Sequence, residues 1–81
     1  MEKIYQVFVE KNDYTEKVIP CASMEVAKRV LKGEKLNIIS SWASMGMDTD
    51  IRKNDDEHFR IVERFSDASY ELSIEVCDII K

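Results

Sequence analysis

Residues 63–76, ERFSDASYELSIEV, decide the fold. Apolar and polar residues alternate on both sides of a short polar run, the pattern of two half-buried strands joined by a turn. Extending the stretch to EHFRIVERFSDASYELSIEVCDII, residues 57–80, supplies a register. With Ser66–Ser69 in the turn, Phe65 pairs with Tyr70, Ile61 with Ile74 and Phe59 with Val76 on one side. On the other side Arg60 faces Glu75 and Arg64 faces Glu71. Cross-strand pairs of these kinds are each worth about 0.2–1 kcal/mol, and a slip of one residue would mix the two faces. Folding alone therefore accounts for the stretch, except at Glu63, which falls on the apolar side opposite Leu72. Either its carboxylate reaches water near the hairpin's end or it is paired across an interface, because a buried unpaired carboxylate is costly.

Toward the N-terminus the same alternation recurs. KIYQVFVEK (3–11) sets Tyr5, Val7 and Val9 on one face of a strand and Ile4, Gln6 and Phe8 on the other. Asn12 and Asp13 signal a turn. TEKVIPC (15–21) returns as a strand that is an edge or ends at Pro20, which has no N–H for the ladder. The period then changes. In ASMEVAKRVLKGEK (22–35), Val26, Ala27, Val30 and Leu31 lie on one helical face. Ser23 is a good N-cap, Glu25 lies near the positive end of the dipole, and Lys28, Arg29 and Lys32 lie toward the negative end. Gly33 is the expected terminator. KLNIISSWAS (35–44) reads as a strand with Leu36, Ile38 and Trp42 on one face; as a helix it would begin at Asn37 and be capped by Gly46. MGMDTDIRKNDDE (45–57) reads as a polar connection, of a length usually found in functional or mobile loops. The expected architecture is α+β: a single domain over residues 1–81, one helix on a mostly antiparallel sheet, in the order ββαβββ. Its expected core is Val26, Val30, Leu31, Ile61, Leu72, Ile74 and Val76.

Composition bounds the function classes. Eighty-one residues form a small core, so large pockets are not expected within one chain. The charged fraction of 35% and apolar fraction of 44% suit a soluble globular domain. A net charge of −4 is the reverse of what a general phosphate-backbone binder shows, so no direct nucleic-acid contact is expected. The opening MEKIYQVFVEK has no apolar run of signal length, and no stretch approaches a membrane span. With only Cys21 and Cys77, free thiols in the cytoplasm are the expectation.

The chemistry-bearing residues are few. His58 and Cys77 fall opposite each other in the expected register, but no orienting group or oxyanion site accompanies them. Two cysteines and one histidine do not supply a zinc ligand set. DTDIRKNDDEHF (48–59) has the acid density of a calcium loop. It fails the EF-hand template, however, with Lys53 at the glycine position and Phe59 at the terminal glutamate position. No catalytic residue, metal or cofactor is expected, and the chain is not expected to be an enzyme. Lys28, Arg29, Lys32 and Lys35 form a basic cluster, read as a solvated helix face and C-terminus or as a small anion contact. Trp42, Met45 and Met47, with nearby Ile51, form an apolar group that either packs internally or is a recognition patch, since aromatic residues and Met are enriched at interface cores. Asp48, Asp50, Arg52 and Lys53 would rim it, and Glu63 would join it as a carboxylate paired across the interface.

YQVFVEKNDYTEKVIPCASMEVAKRVLKGE (5–34) resembles the strand–strand–helix domain of the DpnD/PcfM-like family, through the alternating YQVFVE and the CASMEVA that opens the helix. That family is similar to accessory proteins of restriction and mobile-element loci and has no catalytic motif. The resemblance implies no enzyme and carries over no functional residue. Residue reading and resemblance together point to a small acidic protein-binding module. It would be an inhibitor or accessory factor of a mobile element or phage, acting on a host protein such as a nucleic-acid enzyme. In one variant Asp48, Asp50, Asp55, Asp56 and Glu57 imitate a phosphate backbone. The alternative is a small-molecule-binding homo-oligomer, and a homodimer is compatible with either.

Overall fold

A computed structural model describes residues 2–79. Asn12 and Asp13 both adopt positive φ, 53° and 69°, the backbone of the two-residue turn that suits strand twist. They join β1 (Glu2–Lys11) to β2 (Tyr14–Cys21). After Ser23 the chain enters α1 (Met24–Ser44), with the Ser23 hydroxyl accepting from the Val26 amide at 3.2 Å. Three further strands follow, β3 (Thr49–Asn54), β4 (His58–Glu63) and β5 (Ser69–Ile79). The Asp55 carboxylate accepts from the Glu57 and His58 amides and so closes the β3–β4 turn. Those bonds, that to Glu57 foremost, hold its carboxyl below the usual carboxylate range. The strands form one antiparallel sheet in the order β2-β1-β5-β4-β3. The α+β class, the single helix on the sheet and the ββαβββ order are those expected from the sequence.

Two assignments inside that order are corrected. Residues 35–44 are helix, not strand, and the helix runs through Gly33. Gly33 is exposed and its missing side chain would meet nothing within 4 Å. The buried helical positions Ala27, Leu31, Ile38 and Trp42 form a single seam. Its middle is polar because Glu34 and Lys35 occupy the intervening turn. Glu34 reaches sideways to Lys17 of β2 at 2.9 Å. Lys35 lies over the Phe59 ring at 5.7 Å and donates to Asn54 Oδ1 at 3.0 Å. This polar turn, not a helix end, breaks the apolar period. Leu36, expected inside, is exposed. The true terminus is Gly46, at φ +70°. Its amide donates to Ala43 O and that of Met47 to Trp42 O, each at 3.1 Å, the Schellman pattern. The second correction follows: the third strand lies at 49–54, within the stretch read as a loop.

The last hairpin keeps its faces but not its expected register. Phe59 faces Leu72, Ile61 faces Tyr70 and Arg60 faces Glu71. Opposite Phe59 the partner thus moves four residues, from Val76 to Leu72. An even displacement leaves each side chain on its original face. Phe65 pairs with nothing in the ladder and is exposed. The cause lies outside the hairpin. Ten residues of β5 are registered on β1, with Val7 opposite Ile74 and Val9 opposite Leu72. Asn12 also clamps Ser69 by two hydrogen bonds, each 2.9 Å. β4 then slides to where Phe59 is fully buried. His58 consequently faces Ser73, not Cys77, and hydrogen-bonds Glu71, which also takes Arg60 at 3.1 Å. Arg64, expected opposite Glu71, meets Asp48 instead.

The core comprises Val7, Val9, Cys21, Ala27, Leu31, Ile38, Trp42, Phe59, Ile61 and Leu72. Of the expected core, Val26, Val30 and Ile74 are only half-buried, and Val76 is exposed because it lies on the part of β5 beyond the end of β4. The expected strand's last residue, Ile80, lies outside the described residues. Cys21 is buried and Cys77 exposed, and both are free thiols. No helix among the described residues is long and apolar enough to cross a membrane.

Candidate functional site

The C-terminal half of α1, the β1–β2 turn and the start of β5 enclose a groove of about 500 Å³. Each wall is positioned by something already described. Trp42 faces the sheet because it ends the buried helical seam. The Tyr70 ring stands 5.8 Å from it at 55°, a tilted aromatic pair within the favourable range. Met47 folds back beside Trp42 because the Schellman turn joins the residue after the glycine to the last helical turn. Asn12 closes one end through its two bonds to Ser69. Lys11, opposite Tyr70 in the β1–β5 ladder, places its ammonium 5.7 Å from the Tyr70 ring centroid.

The groove is thus apolar at its base and polar at its rim. Ile38, Trp42, Met47, Ala68 and Tyr70 supply the base, and exposed Met45 lengthens it. Asn37 and Ser41 present polar groups from the helix, and Ser69 from β5. Lys11 is the only lining residue that carries a charge at neutral pH. The arrangement can take one bulky apolar group and satisfy a polar or anionic group beside it.

The structure therefore brings together Trp42, Met45 and Met47 of the seven residues singled out from sequence. Asp48, Asp50 and Arg52 do not line the groove. Asp48 engages Arg64 at 3.8 Å, and Asp50 engages Arg52 at 2.7 Å, so the expected polar rim is turned largely upon itself. Among the remaining acids of that stretch, Asp55 meets Lys53 at 3.5 Å. Glu63 faces Thr49 across β3 and β4, not Leu72. One of its carboxylate oxygens accepts from the Phe65 amide at 3.0 Å, and the other is buried with no hydrogen-bond partner. Tyr70, Lys11, Asn12 and Ser41 were missed. The hairpin pattern pairs Tyr70 with Phe65, and Asn12 signals only a turn. No local pattern joins residues 11–12 to 69–70; the β1–β5 ladder does that. No family model, curated protein or solved structure matches the chain.

Proposed function

We propose that the chain is a protein-binding module whose anchor site is the Trp42–Tyr70 groove. One observation carries this reading: an aromatic and methionine-lined groove beside a single cation, in a chain with net charge −4. The occupant that fits is a partner segment with one bulky apolar side chain next to an acidic residue. The apolar group would fill the base against Trp42 and Met47, and the carboxylate would meet Lys11. Aromatic and methionine side chains favour such anchoring because they exclude water from a large area. Binding is favoured over catalysis because, among the described residues, those lining the groove offer Lys11 no charged partner with which to form an acid–base pair. The role as an inhibitor or accessory factor of a mobile element or phage, acting on a host protein in the cytoplasm, rests on the resemblance of residues 5–34. The variant in which the acids of residues 48–57 imitate a phosphate backbone has less support, because Asp48, Asp50 and Asp55 each sit beside a cation.

Selection from a random peptide library tests the reading. Enrichment of a bulky apolar residue adjacent to Asp or Glu is expected. Ser41→Trp, which fills the groove from an exposed helix position, should abolish binding, and Lys11→Glu should remove the acidic preference. Circular dichroism would verify that both variants fold. Enriched peptides that bind the Ser41→Trp variant equally well would remove the site assignment. A second reading, a small-molecule-binding homo-oligomer, rests on the groove's volume, which lies within the roughly 300–1,000 Å³ of ligand pockets. A metabolite retained in native mass spectrometry would favour it.

A further inference from the structure

The basic residues of α1 have a different setting from the one their sequence position suggests. Had the helix ended at Gly33, Lys28, Arg29 and Lys32 would lie in its last turns, where cations complement the negative pole. The helix continues to Ser44, and its last turn contains no basic residue. The cluster is therefore mid-helix, and the dipole does not account for it.

The fold places the cluster at a step in the sheet. Only Ser69–Ser73 of β5 pair with β4, and the Ile74 amide makes the last bond across, to Glu57 O at 3.1 Å. Beyond the β3–β4 turn the sheet narrows to β2, β1 and β5. In the step lies a second cleft of about 370 Å³, lined by Lys28, Arg29, Leu31, Lys32, Lys35 and Asp56. Lys28, Leu31, Lys32 and Lys35 recur at i, i+3, i+4 and i+7, one helical face. Asp56, on the turn, is its only acid.

Four cations converge there in a chain of net charge −4. Lys28 and Lys32 stand four residues apart, and Lys32 and Lys35 three, spacings at which like charges repel. Compensation within the chain is slight. Arg29 meets exposed Glu25 at 3.8 Å. Lys28 and Lys32 meet no carboxylate within 4 Å among the described residues. Glu34, the nearest acid along the helix, is directed away to Lys17. Lys35 is held in place by Asn54 and the Phe59 ring, so at least one ammonium is pre-positioned.

We propose that this cleft binds a compact polyphosphate group, carried by a small soluble molecule, independently of the Trp42–Tyr70 groove. An anion with several negative charges relieves the repulsion of the whole cluster at once, and charge-assisted bonds from Lys and Arg suit phosphate oxygens. Asp56 opposes binding and sets its limit.

Titration of the full chain with pyrophosphate, followed by amide chemical shifts, tests the site. Saturable shifts confined to residues 28–35 and the 55–57 turn are expected. Lys28→Glu with Lys32→Glu should weaken binding on the order of tenfold or more, since each lost contact is to a charged group, and Asp56→Asn should strengthen it. Both variants alter exposed or half-buried positions, and their folding is read from the same spectra. ATP should reproduce the shifts. Uniform shifts at every lysine, including Lys11 and Lys17, or an unchanged affinity in the double variant, would overturn the proposal. So would a response to a short single-stranded oligonucleotide with none to pyrophosphate, which would make the surface a nucleic-acid contact.

Discussion

The two glycines show how far a residue's meaning depends on its place. Gly46 holds a left-handed backbone that a side chain would strain, while Gly33 lies on an open helical face. Gly46→Ala is expected to destabilise the protein by about 1–2 kcal/mol. Gly33→Ala is expected to stabilise it by about 0.5–1 kcal/mol, because alanine loses less backbone freedom in a helix interior. Urea denaturation of both variants reads the two signs directly. A destabilising Gly33→Ala would mean that the helix breaks there after all. Glu63 is a second residue whose setting no local pattern conveyed: its apolar-face position was legible, but its contact with the Phe65 amide depends on the conformation of the 64–68 loop.

Among the elements, the β4–β5 hairpin carries the sharpest test. Its observed register buries Phe59 completely and leaves Val76 in solvent. Phe59→Ala should cost about 3–5 kcal/mol, the usual loss for a large core aromatic. Val76→Ala should stay within about 0.5 kcal/mol, as surface substitutions do. Under the register that pairs these two residues, both would be core positions and both variants would be destabilised. Equal losses in thermal or chemical denaturation would therefore contradict the structure. The hairpin's own cross-strand pairs are individually small. Burial of Phe59 beneath the helix and ten rungs of β1–β5 pairing together outweigh them.

For the whole molecule, elongation matters most. It measures 47 × 21 × 17 Å, and its one helix packs mainly on β5, β1 and β2, leaving most of β3 exposed. Stability should be graded accordingly, since local opening is easiest where few contacts are made. Val7, Val9 and Leu72 are buried on doubly paired strands, and their amides should be among the slowest to exchange with deuterium. Val76 and Asp78 lie on the length of β5 beyond β4 and should exchange much faster. Protection of Val76 and Asp78 equal to that of Val7 would mean that this edge is covered in solution, as strand addition by a second copy would do. The same elongation separates the two proposed sites. The Trp42–Tyr70 groove lies at the end of the helix, and the basic cleft lies beside its first half.

The sequence by itself determined four of the five strands, the Asn12–Asp13 turn and the Ser23 cap, whereas the ββαβββ order agrees in count although its third strand is 49–54 and not 35–44. Each rests on periodicity or turn chemistry that operates within a few residues. It also marked Trp42, Met45 and Met47 as a group, because three large apolar residues in a short stretch need a common setting. Tertiary structure decided the rest. It carried the helix past Gly33, because Glu34 and Lys35 find partners on β2, β3 and β4 that no helical pattern reveals. It set the last hairpin's register through β1. It assembled the groove by bringing Lys11 and Asn12 against Ser69 and Tyr70. Contacts between residues distant in the chain gain their energy only once the intervening elements have folded, so no local window of the sequence contains them.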